Sequence, residues 1–386
     1  MISKLDLINF KSHSNTIINL SNLTVLCGSN GVGKSSLIQV LLLLREAFLK
    51  DKSFDILDLK SNPVKIGTVN DAIYEFGEFD GFDIKITFLD KYFFDFYYEA
   101  LTEDDKLKSF IRLNKTKSQV QLIVHNDDLS LFNTNFQYIG AARLGPLEQY
   151  PKDDKIVDVH KQISVLEGKA EYFVHFLNKF RDEDVIDELC ISSGNFSFKD
   201  LYTQVTLWEK YIFNGANTEV QDIGKLGYLL KYSFDNERSP NKKTREFEAK
   251  NVGFGLTYTL PILVAILSAK KGSLIIIENP EAHLHPKGIA NLTELMCLAA
   301  QAGIQIIIET HSDHVINGIL VQSKFYEENN FSAGIDRKNI SIYQFDRNDI
   351  EHCSIAIPIM VEEGGRIYEK PIGFFDQITN DLRELI

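Results

Sequence analysis

Apolar and polar residues alternate from the start of the chain, through LDLINF, NTIINL and LTVLC, and the last of these runs stops on GSNGVGKSS. Alternation of period two predicts three short strands. The following stretch, SSLIQVLLLLREAFL, is apolar around most of the helical circumference, which predicts a buried helix starting on the glycine-rich segment. Between about residues 79 and 125, DIKITFLD, YFFDFYYEA, SFIRLN and QVQLIVHN are separated by polar breaks, the pattern of an antiparallel meander. FQYIGAARLGP, residues 136–146, reads as a strand returning to the core, and residues 155–235 read as mostly helical and rich in charge. From residue 250 onward, VGFGLTYTLPILVAILSA, LIIIENPE, NLTELMCLAAQ and IQIIIETHSDH alternate helix and strand, as parallel strands with crossover helices do.

The predicted fold is therefore α/β, with a mostly parallel core sheet, an antiparallel β lobe and an inserted helical region. Its expected segments are an N-terminal core with the glycine-rich loop (1–78), the β lobe (79–135), a strand return plus helical insertion (136–245), a C-terminal core (246–320) and a C-terminal extension (321–386).

Composition narrows the function classes. A chain of 386 residues with 44% hydrophobic and 25% charged residues has the usage of a packed globular protein. The net charge of -13, from 41 basic and 54 acidic residues, argues against a chain-wide grip on nucleic acid. The one modest basic cluster, NKKTR at 241–245, reads as a solvated loop or as a local nucleic-acid groove. Cys27, Cys190, Cys297 and Cys353 lack metal or disulfide spacing, which suits a reducing cytoplasm. The N-terminal residues lack the apolar core of a signal peptide, and no apolar run reaches the roughly 20 residues that span a bilayer, so no membrane role is expected without a partner.

The chemistry concentrates in four short motifs. Gly28, Gly33, Lys34 and Ser35 fit the phosphate-loop pattern between a predicted strand and a predicted helix. There, Gly28, Asn30, Gly31 and Gly33 let backbone N–H groups curl around phosphates. Lys34 reaches the terminal phosphates, Ser35 ligates magnesium, and Ser36 continues the helix start, whose dipole favours anions. Glu278, at the tip of the apolar strand LIII, is the acid such a site uses for magnesium, held directly or through water. Asn279 follows where many ATPases place a second acid. An amide orients water but is a poor general base, so either hydrolysis is slow or Glu281, two residues on, supplies the base with help from His311.

IQIIIETHSDH ends a second apolar strand in Glu309, Thr310 and His311, and His311 either donates to the terminal phosphate or caps the next turn. His283, His285, His311 and His314 have spacings seen in metal centres, but no Cys accompanies them and phosphate chemistry already accounts for their neighbourhood. NVGFGLTY, 251–258, places Gly253, Gly255 and Thr257 before an apolar helix, either as a phosphate-binding helix start or as a close packing contact.

The order NFKSH, GSNGVGKSS, VGFGLTY, ENPEAHLHP and ETHSDH resembles the ABC-type ATPase heads shared by the RecF, SMC and overcoming-lysogenization-defect (OLD) families. It looks closest to the stand-alone OLD-like ATPases of Septu-type antiphage systems, and Gly373, Phe374, Phe375 and Asp376 resemble their C-terminal feature. The resemblance implies Mg-ATP as cofactor and a head-to-tail homodimer or higher homo-oligomer. Gly253, Gly255 and Thr257 of one subunit would face the partner's nucleotide, and Arg143 would lie near the nucleotide or in a core salt bridge. It also implies a separate effector, such as a nuclease, because about 65 residues after the His311 region are too few for an ordinary nuclease domain. The expected function is an ATP-dependent switch in antiphage defence. The alternative is a RecF-like maintenance ATPase that clamps DNA directly.

Overall fold

The computed structural model describes residues 1–89, 91–120, 128–192, 198–329, 333–369, 374 and 383–385. Two compact units divide it, Met1–Asn126 with Glu309–Ile386, and Asp127–Ile308.

The first unit opens with β1 (Ile2–Phe10), β2 (His13–Asn19) and β3 (Leu23–Gly28), followed by the helix α1 (Lys34–Asp51). Leu37, Ile38 and the run Val40–Leu44 are all at most 2% exposed, so α1 is a core helix rather than an amphipathic surface one. Beyond it come β4 (Ile56–Asp58), α2 (Val69–Ala72), β5 (Gly81–Phe88), β6 (Tyr92–Glu99), α3 (Glu103–Lys106) and β7 (Phe110–Leu113). The two short helices start on capping boxes, Thr68 with Asp71 and Thr102 with Asp105.

Six strands form one antiparallel sheet in the order β2-β1-β5-β6-β7-β4. Its buried face is aromatic: Phe10 meets Phe82 edge-on at 5.0 Å, and Phe94, Phe96 and Tyr98 line up behind them, none more than 1% exposed. Each such ring contributes on the order of 2 kcal/mol by leaving water. The lobe thus begins at residue 2 rather than 79, because period-two alternation fixes that a segment is a strand and not which sheet it joins. Most of QVQLIVHN, from 121 onward, lies outside the described residues.

The second unit contains β8 (Phe136–Ile139), α4 (Phe173–Lys179), α5 (Leu201–Phe213), β9 (Ala216–Asp222), β10 (Tyr228–Phe234), β11 (Phe247–Glu248), α6 (Phe254–Leu267), β12 (Leu274–Glu278) and α7 (Pro286–Gln301). β12 runs parallel to β8, with Ile277 opposite Ile139. The mostly helical insertion expected over 155–235 needs correcting. Residues 216–234 form the hairpin β9–β10, extended by β11 into a three-stranded sheet. β9 carries exposed polar residues, Glu219, Gln221 and Asp222, a composition read as helical charge from sequence.

β13 (Gln305–Thr310) passes from the second unit into the first at Glu309. The first unit then closes with α8 (Asp313–Glu328), β14 (Ile340–Arg347) and β15 (Ser354–Ile359). β14 runs parallel to β3, placing Phe345 opposite Gly28, and antiparallel to β15.

Candidate functional site

In the first unit, β3 delivers the chain to Gly28 and α1 takes it away from Gly33, so residues 28–33 form a tight loop over a helix N-terminus. Two glycines are demanded by geometry. A Cβ on Gly28, at φ +133, would lie 2.3 Å from the Phe345 carbonyl oxygen. On Gly33, at φ +98, it would lie 2.2 Å from Ser354 Oγ and 2.9 Å from His13 Nε2. Gly31 faces open space, with nothing within 4 Å of where its Cβ would stand. Asn30 and Gly31 are exposed at the loop's crest, while Ser36 is buried in the first helical turn and its N–H donates to the Gly33 carbonyl at 3.0 Å.

Lys34 is 3% exposed and curls back into this loop, its ammonium donating to the carbonyls of Ser29 at 2.6 Å and Gly28 at 3.1 Å. Burial pushes the ammonium below its ordinary value, and the carboxylate of Glu309 pulls it partway back. His13 braces the loop from below: one ring nitrogen lies 2.9 Å from the Gly33 carbonyl and the other 2.8 Å from Thr16 Oγ1. Burial lowers this imidazole to about 4, so it is neutral at physiological pH.

Glu309 is the residue whose part in the loop the sequence did not assign. Ser35 Oγ donates to its carboxylate at 2.9 Å, and Lys34 Nζ stands 4.0 Å from it. His311, two residues on, has Nδ1 2.8 Å from the Gly28 carbonyl. The sequence expectation gave His311 a phosphate or a turn; in the structure its Nδ1 lies against the loop backbone at Gly28. These donors suit a magnesium-bound triphosphate: a curled loop over a helix start, one buried ammonium, and a hydroxyl and carboxylate as hard oxygen ligands. Among the described residues no group of three or more His, Cys, Asp and Glu is arranged to hold a metal alone, and His285 instead caps α7, accepting from the Lys287 N–H at 3.3 Å.

In the second unit, β12 ends on Glu278 and the chain turns through Asn279 at φ +46. The Glu278 carboxylate accepts from the Tyr138 hydroxyl at 2.9 Å and the Ala141 N–H at 3.1 Å, so β8 and the segment after it set its orientation. Asn279 carries a buried Oδ1 without a hydrogen-bond partner among the described residues.

Arg143, expected beside the nucleotide or in a core salt bridge, instead clamps backbone. Its guanidinium donates to the carbonyls of Gly140 (3.2 Å), Glu278 (2.9 Å), Asn279 (2.8 Å) and Tyr258 (2.8 Å). At 1% exposure it is lowered to about 10 by burial, an effect that Tyr258, Glu281 and Glu278 oppose. Four carbonyls from three segments are thereby tied to one planar cation, which fixes the turn that carries Glu278, Asn279 and Glu281.

The segment NVGFGLTY divides by exposure. Gly253 and Phe254 are exposed at the start of α6, Phe254 at 55%, whereas Thr257 is fully buried. Thr257 therefore faces the interior, which corrects its expected place at a partner's nucleotide; the helix turns it away from the exposed first residues. Gly255 is also buried, and a Cβ there would lie 2.6 Å from the His283 carbonyl oxygen, the close-packing role. Gly373, Phe375 and Asp376 lie outside the described residues.

Known proteins extend this picture. A head domain titled "SmcHead bound to the C-winged helix domain of ScpA" superposes with a TM-score of 0.52 at 15% identity, covering 93% of this chain and 98% of that one. That likeness shows the fold alone: an α/β arrangement like that of this SMC head. The Old nuclease of Escherichia phage P2 is 32% identical over 74 residues, which span 19% of this chain and 13% of that protein. A family described as "Protein of unknown function (DUF3696)" matches residues 335–385. No described helix is long and apolar enough to cross a membrane. The family described as "AAA domain, putative AbiEii toxin, Type IV TA system" matches residues 23–317, from the strand before the phosphate loop into α8, and the chain belongs to that family.

Proposed function

We propose that this chain binds Mg-ATP and acts as a slow, nucleotide-dependent switch that pairs subunits and controls a separate effector. The observation that carries the reading is the loop of residues 28–33, with Lys34 curled into it and Ser35 joined to a carboxylate. When bound, magnesium supplies charge neutralisation of the phosphates; Ser35 would ligate it, and Glu278 is the further acid assigned to the ion. Asn279 or Glu281 would orient the attacking water, and His311 would hold the loop through Gly28. Gly253 and Phe254, exposed at the start of α6, are the surface assigned to subunit pairing. The short match to a nuclease is in keeping with a nuclease as effector class, and antiphage defence as setting rests on the OLD-like motif order alone.

Titration calorimetry with Mg-ATP tests the reading. Lys34→Met keeps the buried methylenes and removes the ammonium, so the fold should persist while affinity falls roughly 10- to 100-fold, the worth of one or two charge-assisted hydrogen bonds. Unchanged affinity in a folded variant would show that the loop does not hold phosphate.

A further inference from the structure

We infer that Glu309 makes triphosphate binding conditional on a divalent cation: its carboxylate repels metal-free phosphates from the loop and welcomes them when the cation arrives with them. The inference rests on the nucleotide-binding reading above and names a regulatory acid within it.

Glu309 is 6% exposed and Lys34 is 3% exposed, and the two stand 4.0 Å apart, so the loop's only buried ammonium is already compensated. What remains for an anion is the helix start and the loop N–H groups, partial charges only. A metal-free triphosphate seated at Lys34 would face the Glu309 carboxylate across a short gap. One pair of like charges about 5 Å apart at an effective dielectric near 20 weakens binding by roughly 100-fold.

A divalent cation reverses that sign. Ser35 can offer its oxygen lone pair to the ion while its hydroxyl proton stays directed at Glu309, since the hydroxyl already donates to Oε1 at 2.9 Å. Glu309 then faces a dipositive ion through Ser35 or through the ion's water, and the carboxylate becomes attractive. The position of the acid at the end of β13 is what allows this: the strand stops where Ser35 begins the second residue of α1.

Affinity measured with and without metal separates this from a merely structural acid. ATP and inorganic tripolyphosphate are titrated into the full chain, in magnesium and in EDTA. For the wild type, removing magnesium should cost at least roughly 100-fold in affinity. Glu309→Gln keeps the shape and can still accept from Ser35, and it should bind tripolyphosphate in EDTA roughly 100-fold more tightly than the wild type, narrowing the magnesium-to-EDTA ratio by that factor. Glu309→Asp keeps the charge and should keep most of the ratio. Glu278→Gln, which removes the other acid assigned to the ion, reports how much of the magnesium-to-EDTA ratio that carboxylate carries. Thermal melting of each variant checks that it is folded. Equal ratios in wild type and Glu309→Gln, or a ratio abolished by Glu278→Gln alone, would overturn the inference while nucleotide binding stands. A wild type that binds neither ligand in magnesium would overturn both.

Discussion

Asn279→Glu places a carboxylate immediately after the β12 acid, on a turn whose backbone is already fixed. Arg143 holds the Glu278 and Asn279 carbonyls at 2.9 and 2.8 Å, so the substitution should change the side chain and leave the turn in place. The structure also offers a conformational reason for the amide. Residue 279 sits at φ +46, in the left-handed region where Asn is enriched and longer side chains are strained. Glutamate there should cost about 1 kcal/mol of stability. Against this, a competent general base is worth about 100- to 10,000-fold in rate, equivalent to roughly 3–5 kcal/mol of barrier at 1.36 kcal/mol per decade.

Steady-state phosphate release at saturating Mg-ATP measures the gain, and a denaturant midpoint measures the strain. Asn279→Ala supplies the control, losing the amide and bearing much the same backbone strain without gaining a base. Turnover should rise well above wild type in Asn279→Glu alone, while Glu281→Gln should leave wild-type turnover almost unchanged. If Asn279→Glu binds Mg-ATP, stays folded and turns over no faster, the missing-base explanation fails. If Glu281→Gln instead stops wild-type turnover with binding intact, Glu281 is the base.

Gly253→Glu should block ATP-dependent pairing in sedimentation while sparing ATP binding, because its Cβ meets open space at an ordinary φ; Gly255→Ala should instead destabilise the monomer, because its Cβ would lie 2.6 Å from a carbonyl oxygen. Normal pairing by Gly253→Glu would remove that face from the interface. Glu209, fully buried beside Thr218, is raised to about 8 by burial, so the native state keeps a proton that the unfolded chain releases above about pH 4.5. Stability should therefore fall as pH rises from 4.5 to 8. Glu209→Gln should remove that slope, gaining on the order of 3 kcal/mol near pH 7 and almost nothing near pH 4. Parallel unfolding-versus-pH curves for the two proteins would refute this.

What the sequence determined by itself is whatever short-range physics specifies. A strand, six loop residues and a helix are contiguous, so the phosphate loop follows from turn chemistry and apolar periodicity at residues 23–51. The same holds for LIII ending on Glu278, where four apolar residues leave a carboxylate at a strand tip. Tertiary structure decided the matters that depend on which segments become neighbours. β1 and β2 alternate like any strands, and only pairing with β5 makes them part of the antiparallel lobe. Thr257 looks like a phosphate-facing hydroxyl until the rotation of α6 buries it. Arg143 shows no partner in sequence, because carbonyls are invisible there and its four come from three separate segments. Glu309 is an acid at the end of an apolar strand, and nothing local distinguishes it from Glu278. Its contact with Ser35 spans 274 residues of chain and exists only because the end of β13 meets the first turn of α1. Side-chain chemistry is written in the sequence; the electrostatic company each group keeps is set by the pairing of distant strands.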